Sequence, residues 1–520
     1  MFAVFTFVTL HMEFLITVLR FIWFLFLALM VFNLMIVVHE WGHFLAGRWR
    51  GLKIDRFQIW FGKPLWKKTI NGVQYGLGSI PAGGFVSLPQ MAPMESIEGE
   101  VDDEELKNLP PITPLDKIIV AVAGPLFSFL LAVAFAVIVW GVGTPVHEAV
   151  SSTMIGGMPE IKNAEGKMVT SPAKEAGLQV GDTIKEVDGM KIERFMGMTD
   201  SVMWAVLSSD QEVLNVKIDR PGKGEMSVDV DVPRPQLKKT EGNFIKKAWG
   251  WLANRPPLRA MGVSPAITPV VGETMEFGPA AKSGLEKGDV ITSINGQDIS
   301  YFHEYQAFPW KAGETYKLGI KRGKKEMAVD LTPQVPDVRP KDFDRTLTGI
   351  IPSRGGVQTI DHPNPIAQIT KAGRSIGGML KALFTPKSGV SAGHMNGPVA
   401  ITGVYYDLFQ TPDGWKKVLW FSVLLNVNLA ILNMLPFPVL DGGHIVMASY
   451  EWIRKKTIPL KILEVVQTAF VLFLFGFMLF VTFKDVGDRV PKGTDPNAEE
   501  NVMPRFLSPA EKAEAAKKND

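Results

Sequence analysis

Apolar residues along this chain are bunched rather than spread. Four stretches run without a charged residue: Phe21 to Val38, Ile118 to Val142, Val418 to Leu440 and Val465 to Phe483. A bilayer core needs about 20 apolar residues in helical form, and soluble helices seldom run that far uncharged. Four membrane-spanning helices are therefore predicted. The first stretch, extended weakly back to Met12, ends Asn33-Leu-Met-Ile-Val-Val-His with no small-residue cleavage site and a scarcely basic leader. It reads as a permanent span and not as a removable signal peptide. Residues 69–88 have another pattern, in which Gly and Pro punctuate alternating apolar positions. That suits a bent or re-entrant β-hairpin.

Between the second and third runs the sequence repeats. Ser171-Pro-Ala-Lys-Glu-Ala-Gly-Leu-Gln-Val-Gly-Asp-Thr-Ile-Lys-Glu-Val-Asp-Gly recurs 107 positions later as Gly278-Pro-Ala-Ala-Lys-Ser-Gly-Leu-Glu-Lys-Gly-Asp-Val-Ile-Thr-Ser-Ile-Asn-Gly. Each copy predicts a short helix closed by Gly177 or Gly284, a strand launched at Gly-Asp, and a tight turn at Asp188-Gly189 or Asn295-Gly296. The shared pattern resembles PDZ domains of bacterial periplasmic proteases, over 145–235 and 258–335. The resemblance implies extended peptides or C-termini as ligands, bound by strand addition to a sheet edge. Further on, residues 364–384 place apolar and basic residues at helical spacing. This predicts an amphipathic helix, either on the membrane surface or against the second module. The tail from Lys484 is rich in Pro, Ala and charge and is expected to be loose.

Charge sets orientation. Arg48, Arg50, Lys53, Arg56, Lys63, Lys67 and Lys68 follow the first span, and Arg454, Lys455, Lys456 and Lys461 separate the third from the fourth. Both basic loops are expected on the cytoplasmic side. The repeats and both termini then lie outside, in the periplasm of a bacterium. The acidic run from Glu95 to Glu105 reads as a solvated loop. Over the whole chain, 55 Lys and Arg against 53 Asp and Glu leave a net charge of +2, which gives no field for nucleic-acid binding. Cysteine is absent from the 520 residues, so disulfides, thiolate catalysis and Cys-based metal sites are excluded. Any metal must be held by His, Asp or Glu.

His39-Glu40-Trp41-Gly42-His43 closes the first apolar run. Positions i and i+4 share a helix face, so both imidazoles reach one ion, and Glu40 can take a proton from a water at the metal. Burying two His and a Glu in a lipid-embedded helix is costly without such a role. Zinc hydrolases of this kind use three protein ligands. The remaining histidines are His11, His147, His303, His362, His394 and His444, for which surface, loop or orienting roles are favoured. Asp441, the only acid in residues 418–450, is the strongest candidate for the third ligand. Pro436 and Pro438 break the helix before it. Asn433 and Asn428 are placed to hydrogen-bond a substrate backbone or an oxyanion, whereas Asn426 reads as glue between helices.

H-E-x-x-H in the first span, N-x-x-P-x-P-x-L-D-G around the third and two PDZ-like modules between them together resemble the site-2 intramembrane metalloproteases, over nearly the whole chain. The resemblance implies Zn2+ held by His39, His43 and Asp441, with Glu40 as general base. It further implies that Asn428 and Asn433 hold the substrate. The hairpin at Tyr75–Val86, with Gly76, Gly78, Gly83 and Gly84, would be a re-entrant strand pairing with the unwound substrate. That substrate would be a single-span membrane protein of the anti-sigma-factor type, already clipped outside, or a remnant signal peptide. The location would be the bacterial inner membrane. The extension before Met12, the acidic loop and the long tail depart from the family pattern and bear on regulation, not chemistry. A surface-cutting membrane zinc endopeptidase fits the external modules and the L-D-G acid less well. A catalytically silent peptide-binding scaffold does not account for Glu40 beside two histidines.

The expected fold is an α-helical membrane protein with four transmembrane helices, a re-entrant β-hairpin and two PDZ domains inserted between helices two and three. In order this gives 1–47 (first helix with the motif), 48–115 (cytoplasmic loop and hairpin), 116–143 (second helix), 145–235 and 258–335 (modules), 336–415 (linker with the amphipathic helix), 416–440 (third helix), 459–484 (fourth helix) and 485–520 (tail).

Overall fold

A computed structural model of the chain describes residues 2–91, 109–162, 168–233, 258–340, 343, 345–385, 390, 394–395, 397–456, 460–489 and 503–519. The acidic run of 95–105 lies outside them. Two compact units emerge. One gathers Met1–Pro145, Asp361–Gly377 and Met395–Val490; the other gathers Val146–Ile360, Gly378–His394 and Pro491–Asp520.

The first unit is built on helices. α1 (Phe2–Trp49) is closed by Gly51, whose φ of +75° suits a residue without a side chain. β1 (Arg56–Phe61), β2 (Trp66–Ile70), β3 (Val73–Leu77) and β4 (Ile80–Ser87) follow, then α2 (Pro114–Val142), α3 (Pro365–Phe384), α4 (Pro398–Gln410), α5 (Gly414–Asn433), α6 (Asp441–Arg454) and α7 (Leu460–Arg489). Four helical stretches are long and apolar enough to cross a membrane: His11–Trp49, Pro114–Val142, Gly414–Asn433 and Val465–Gly487. Their outward faces carry large exposed apolar residues such as Phe14, Leu130, Leu472 and Phe475, as lipid contact requires.

α2 is the centre of this unit. Its buried face reads Val120, Gly124, Ser128, Ala132 and Ala136, a small-residue stripe at four-residue pitch. Without a hydrophobic drive between helices in lipid, small residues permit the close approach that dispersion contacts need. A Cβ on Gly42 of α1 would run into the Ala123 carbonyl of α2, so the two helices touch backbone to backbone there. Pro125 lies inside α2 and removes the donor for the Ala121 carbonyl.

Three expectations are corrected. The third apolar run is one helix only to Asn433, because Pro436 and Pro438 interrupt it; Asp441 opens the next helix, α6. The stretch 75–86 is no hairpin. Its two halves belong to β3 and β4, and β1 lies between them in a sheet of order β2-β3-β1-β4. β1 runs parallel to β3, pairing Phe57 with Tyr75, and antiparallel to β4, pairing Phe57 with Val86. The chain crosses the end of β1 at Gly78, where a Cβ would meet the Phe61 and Trp60 carbonyls. Finally, Ile369 and Ala372 of α3 pack with Ala132 of α2 and Val427 of α5, so this amphipathic helix buries its apolar face on two spans.

In the second unit the repeat folds twice in the same way. Residues 190–191, 183–187, 213–220 and 224–231 form one four-stranded sheet in that order, and 297–298, 290–294, 316–322 and 325–331 form the other. Each has its own apolar core, centred on Ile184, Leu214 and Ile218 or on Ile294, Leu318 and Ile320. The repeated aspartate is fully buried in both. Asp182 accepts the Gln179 N–H and a fork from Arg220; Asp289 accepts the Glu286 N–H and a fork from Arg322 (Nε to Oδ1 is 2.7 Å in each). Each module is closed by a strand that follows its sheet: Ser264–Pro265 pairs with Ile155–Gly157, and Ile350–Pro352 pairs with Val271–Thr274. Residues 258–266 therefore belong with the first module, not the second, and the second extends to Pro352. The repeat alone could not reveal this, because the closing strands lie outside it.

The tail is not wholly loose. Residues 503–508 and α8 (Pro509–Asn519) dock on residues that follow the second sheet.

Candidate metal centre

α1 brings His39 and His43 to one face, one turn apart, with their Nε2 atoms 3.2 Å from each other. Asp441, in the first turn of α6, meets them. Its Oδ2 is 3.2 Å from His39 Nε2, and its Oδ1 is 3.3 Å from His43 Nε2. All three ligand atoms lie within 4.8 Å of one another, and this is the one such cluster among the described residues. The side chains are 8, 12 and 16% exposed, so water competes poorly for them.

The donor set fits zinc. Two imidazoles and one carboxylate leave a fourth position of a tetrahedron open. Asp441 Oδ2 is buried and accepts no hydrogen bond, as expected of an atom facing a cation. Space has also been kept. A Cβ on Gly124 of α2 would fall on His43 Nε2 and crowd His39 Nε2, so only glycine leaves the centre clear.

The far side of each ring is held. His39 Nδ1 lies 3.0 Å from Ser128 Oγ, and His43 Nδ1 lies 2.8 Å from the Val120 carbonyl oxygen. Such outer contacts fix which nitrogen faces the metal. Both come from α2, about two turns apart on the small-residue stripe.

The centre lines a cavity of about 390 Å³ together with Glu40, Gly83, Gly84, Phe85, Asn433 and His444. The Glu40 carboxylate sits against the Val86 backbone of β4. β4 is the edge of its sheet, so a row of backbone groups beside Glu40 has no further strand among the described residues. Asn433 Nδ2 approaches His39 Nε2 to 3.5 Å.

Of the residues singled out in the sequence, the structure gathers His39, Glu40, His43, Asp441, Asn433, Gly83 and Gly84. Asn428 does not line the cavity, because residues five apart on an α-helix point about 140° apart. Gly76 sits in the interior strand β3, opposite Lys67, and Gly78 makes the crossing over β1; neither lines the cavity. Asn426 donates to the Ser422 carbonyl within its own helix. Sequence reasoning missed Ser128 and Gly124. Their signal was present as Gly124-Pro-Leu-Phe-Ser128, the one polar residue and the one Gly-Pro inside an apolar span.

Two histidines from one helix, a carboxylate from another and an acid in the same apolar cavity define a zinc metalloprotease of the site-2 type. The chain belongs to Peptidase family M50, whose model matches residues 26–477. It is similar to Protease RseP of Yersinia pestis, 27% identical over 487 residues that cover 89% of this chain and 98% of that protein. It is also similar to the Regulator of sigma-E protease RseP of Salmonella typhimurium, 26% identical over 89% of this chain and 98% of that one. A putative zinc metalloprotease of Neisseria meningitidis is 26% identical over 87% of this chain and 96% of its own length. With its apolar helices, the chain is a bacterial membrane protein whose cofactor is Zn2+.

Proposed function

We propose that this chain hydrolyses a peptide bond inside the transmembrane segment of a single-span membrane protein. The observation that carries the reading is the meeting of His39, His43 and Asp441 in a cavity shared by Glu40 and the open edge of β4. In this reading His39, His43 and Asp441 hold zinc, which supplies Lewis acidity toward the scissile carbonyl and makes water acidic enough to attack near neutral pH. Glu40 accepts the proton of the attacking water and returns it to the leaving amide nitrogen. Asn433 donates a hydrogen bond to the carbonyl whose charge is growing.

A transmembrane helix hides its amides, so the substrate must unwind first. β4 offers the exposed amides a strand to pair with, which offsets the lost helical bonds. Gly83 and Gly84 keep that edge low beside the ligands. Basic residues after α1 and between α5 and α7 support a cytoplasmic position for those loops, with the repeated modules and both termini in the periplasm. In this scheme the modules are PDZ domains that bind extended peptide and exclude substrates with a bulky outer domain. The name of the Salmonella relative, a regulator of sigma-E protease, supports a substrate in sigma-factor control, for which an anti-sigma factor is the fitting class.

The test is Glu40→Gln in the full chain. It is expected to retain zinc and to bind a reporter span while abolishing its cleavage; persistent cleavage overturns the mechanism.

A further inference from the structure

α6 begins with Asp441 at the metal centre and leaves its other end uncovered. Gly442, Gly443 and Ala448 are buried. Val446, Tyr450 and Ile453 recur at i, i+4 and i+7, so they share the opposite face, and all three are exposed, Ile453 by 78%. Trp452 is exposed beside them. At 14 residues, about 21 Å, the helix is too short to cross a bilayer.

An ion pair sets its depth. Lys117 Nζ, in the first turn of α2, lies 2.8 Å from Glu451 Oε2. α2 has 29 residues, about 43 Å, which is the thickness of a bilayer with its headgroups. Its first turn, with Asp116 and Lys117, therefore lies among headgroups, and the last turn of α6 lies there with it. Trp and Tyr favour that level, where one side of the ring meets hydrocarbon and the other meets water.

The charge at this end is unbalanced. Arg454, Lys455 and Lys456 are all exposed, and no acid pairs with them among the described residues. Glu451 is the only acid between residues 442 and 463, and Lys117 already holds it. The partial charge of a helix C-terminus, about half a unit, offsets less than one of the three cations. The turn that presents them is formed, not frayed: Lys455 takes the left-handed conformation, and its N–H donates to the Glu451 carbonyl at 2.8 Å.

We propose that the outer face of α6 is a binding site for an anionic phospholipid. The Arg454 fork and the ammonium groups of Lys455 and Lys456 take the phosphate and the net negative charge of the headgroup. Trp452 and Tyr450 lie at the level of the glycerol, and Val446 and Ile453 lie against the acyl chains. A zwitterionic lipid brings its own cation to the same phosphate, so the site selects against it. Occupancy anchors the free end of the helix that starts at Asp441.

The natural lack of cysteine permits a clean label. Ile453→Cys carrying a bimane fluorophore is placed, in the full chain, in nanodiscs of equimolar phosphatidylcholine and phosphatidylglycerol, with bromine on the acyl chains of one lipid or the other. Brominated phosphatidylglycerol should quench it more than brominated phosphatidylcholine. The same label at Leu472→Cys, exposed in a charge-free stretch of α7, should be quenched equally by both. Replacing Arg454, Lys455 and Lys456 together by Gln should remove the excess at 453. When the fraction of brominated phosphatidylglycerol is titrated, Lys456→Gln alone should lower the apparent affinity about fivefold, equivalent to ~1 kcal/mol, and Arg454→Lys should keep most of it. Equal quenching by the two lipids at 453 overturns the site. So does an absence of quenching by both, which would mean that a second copy of the chain covers this face. None of these readings uses cleavage, so they stand apart from the hydrolysis proposed above.

Discussion

Ser128 and His39 lie 89 positions apart, yet the serine Oγ sits 3.0 Å from the histidine Nδ1. Neither could reach the other unless α1 and α2 touched, which Gly42 and the small-residue stripe permit. The hydroxyl turns Nε2 of the ring toward Asp441. Ser128→Ala should therefore weaken zinc affinity by about 10- to 100-fold, since outer partners of ligating histidines carry effects of that size. Competition with a chelator measures this directly, and an unchanged affinity would show the contact to be incidental.

Gly124 predicts a loss that leaves every ligand in place. Gly124→Ala puts a methyl group on His43 Nε2, so zinc content should fall from about one per chain to a small fraction, as a closed three-ligand site has no slack. Gly141, in the same helix, has nothing within 4 Å of an added Cβ. Gly141→Ala should leave zinc and activity intact. Metal analysis of the two purified variants separates local crowding from general damage to α2.

Asn433 and Asn428 are expected to part company. Asn433 lines the cavity and approaches His39, whereas Asn428 is directed elsewhere with its Oδ1 buried and unpaired. Loss of a donor to a developing oxyanion costs about 100- to 1,000-fold in turnover. Asn433→Ala should approach that loss, with Asn428→Ala near the parent rate. Cleavage kinetics on one reporter span tests both, and equal effects would contradict the geometry.

The second module should be sensitive to acid. Burial would raise the Asp289 carboxyl, but the Arg322 fork and the Glu286 N–H outweigh it and hold the group below its ordinary value. A carboxylate depressed on folding stabilises fully above its unfolded value, about 3.9, and that contribution fades as pH drops through the folded value. Protection factors of residues 290–294, which take out the pH dependence of intrinsic exchange, should be steady above about pH 5 and fall below about pH 4. Asp289→Asn should lose at least about tenfold protection at neutral pH, because Arg322 then keeps only the exposed Glu286 carboxylate as its counter-charge, and should flatten the acid response.

Much of the centre was legible because its signals are residue types at helical spacing. His39, Glu40 and His43 announce themselves on any helix, and Asp441 stands out as a lone acid in an apolar stretch. What holds those ligands was harder to read. The partner of His43 is the Val120 carbonyl, and a backbone group carries no mark of residue type. In the modules, the twofold Gly-Asp was readable as a turn, but Arg220 and Arg322, which occupy its buried carboxylates, lie in a strand beyond the repeated segment. The Gly-rich stretch misled for a physical reason. Alternation predicts strands but not their neighbours, and β1 took the place a hairpin would have reserved for β3 beside β4.

The four-residue pitch of α2 has one more implication. The room for the ion, the anchor of one imidazole and the anchor of the other are all read from a single edge of this rod. Sliding it by one residue would rotate that edge by about 100° and dismantle all three together. The second span is thus the fixed jaw of the machine, and whatever parts to admit a substrate must be sought among its other pieces.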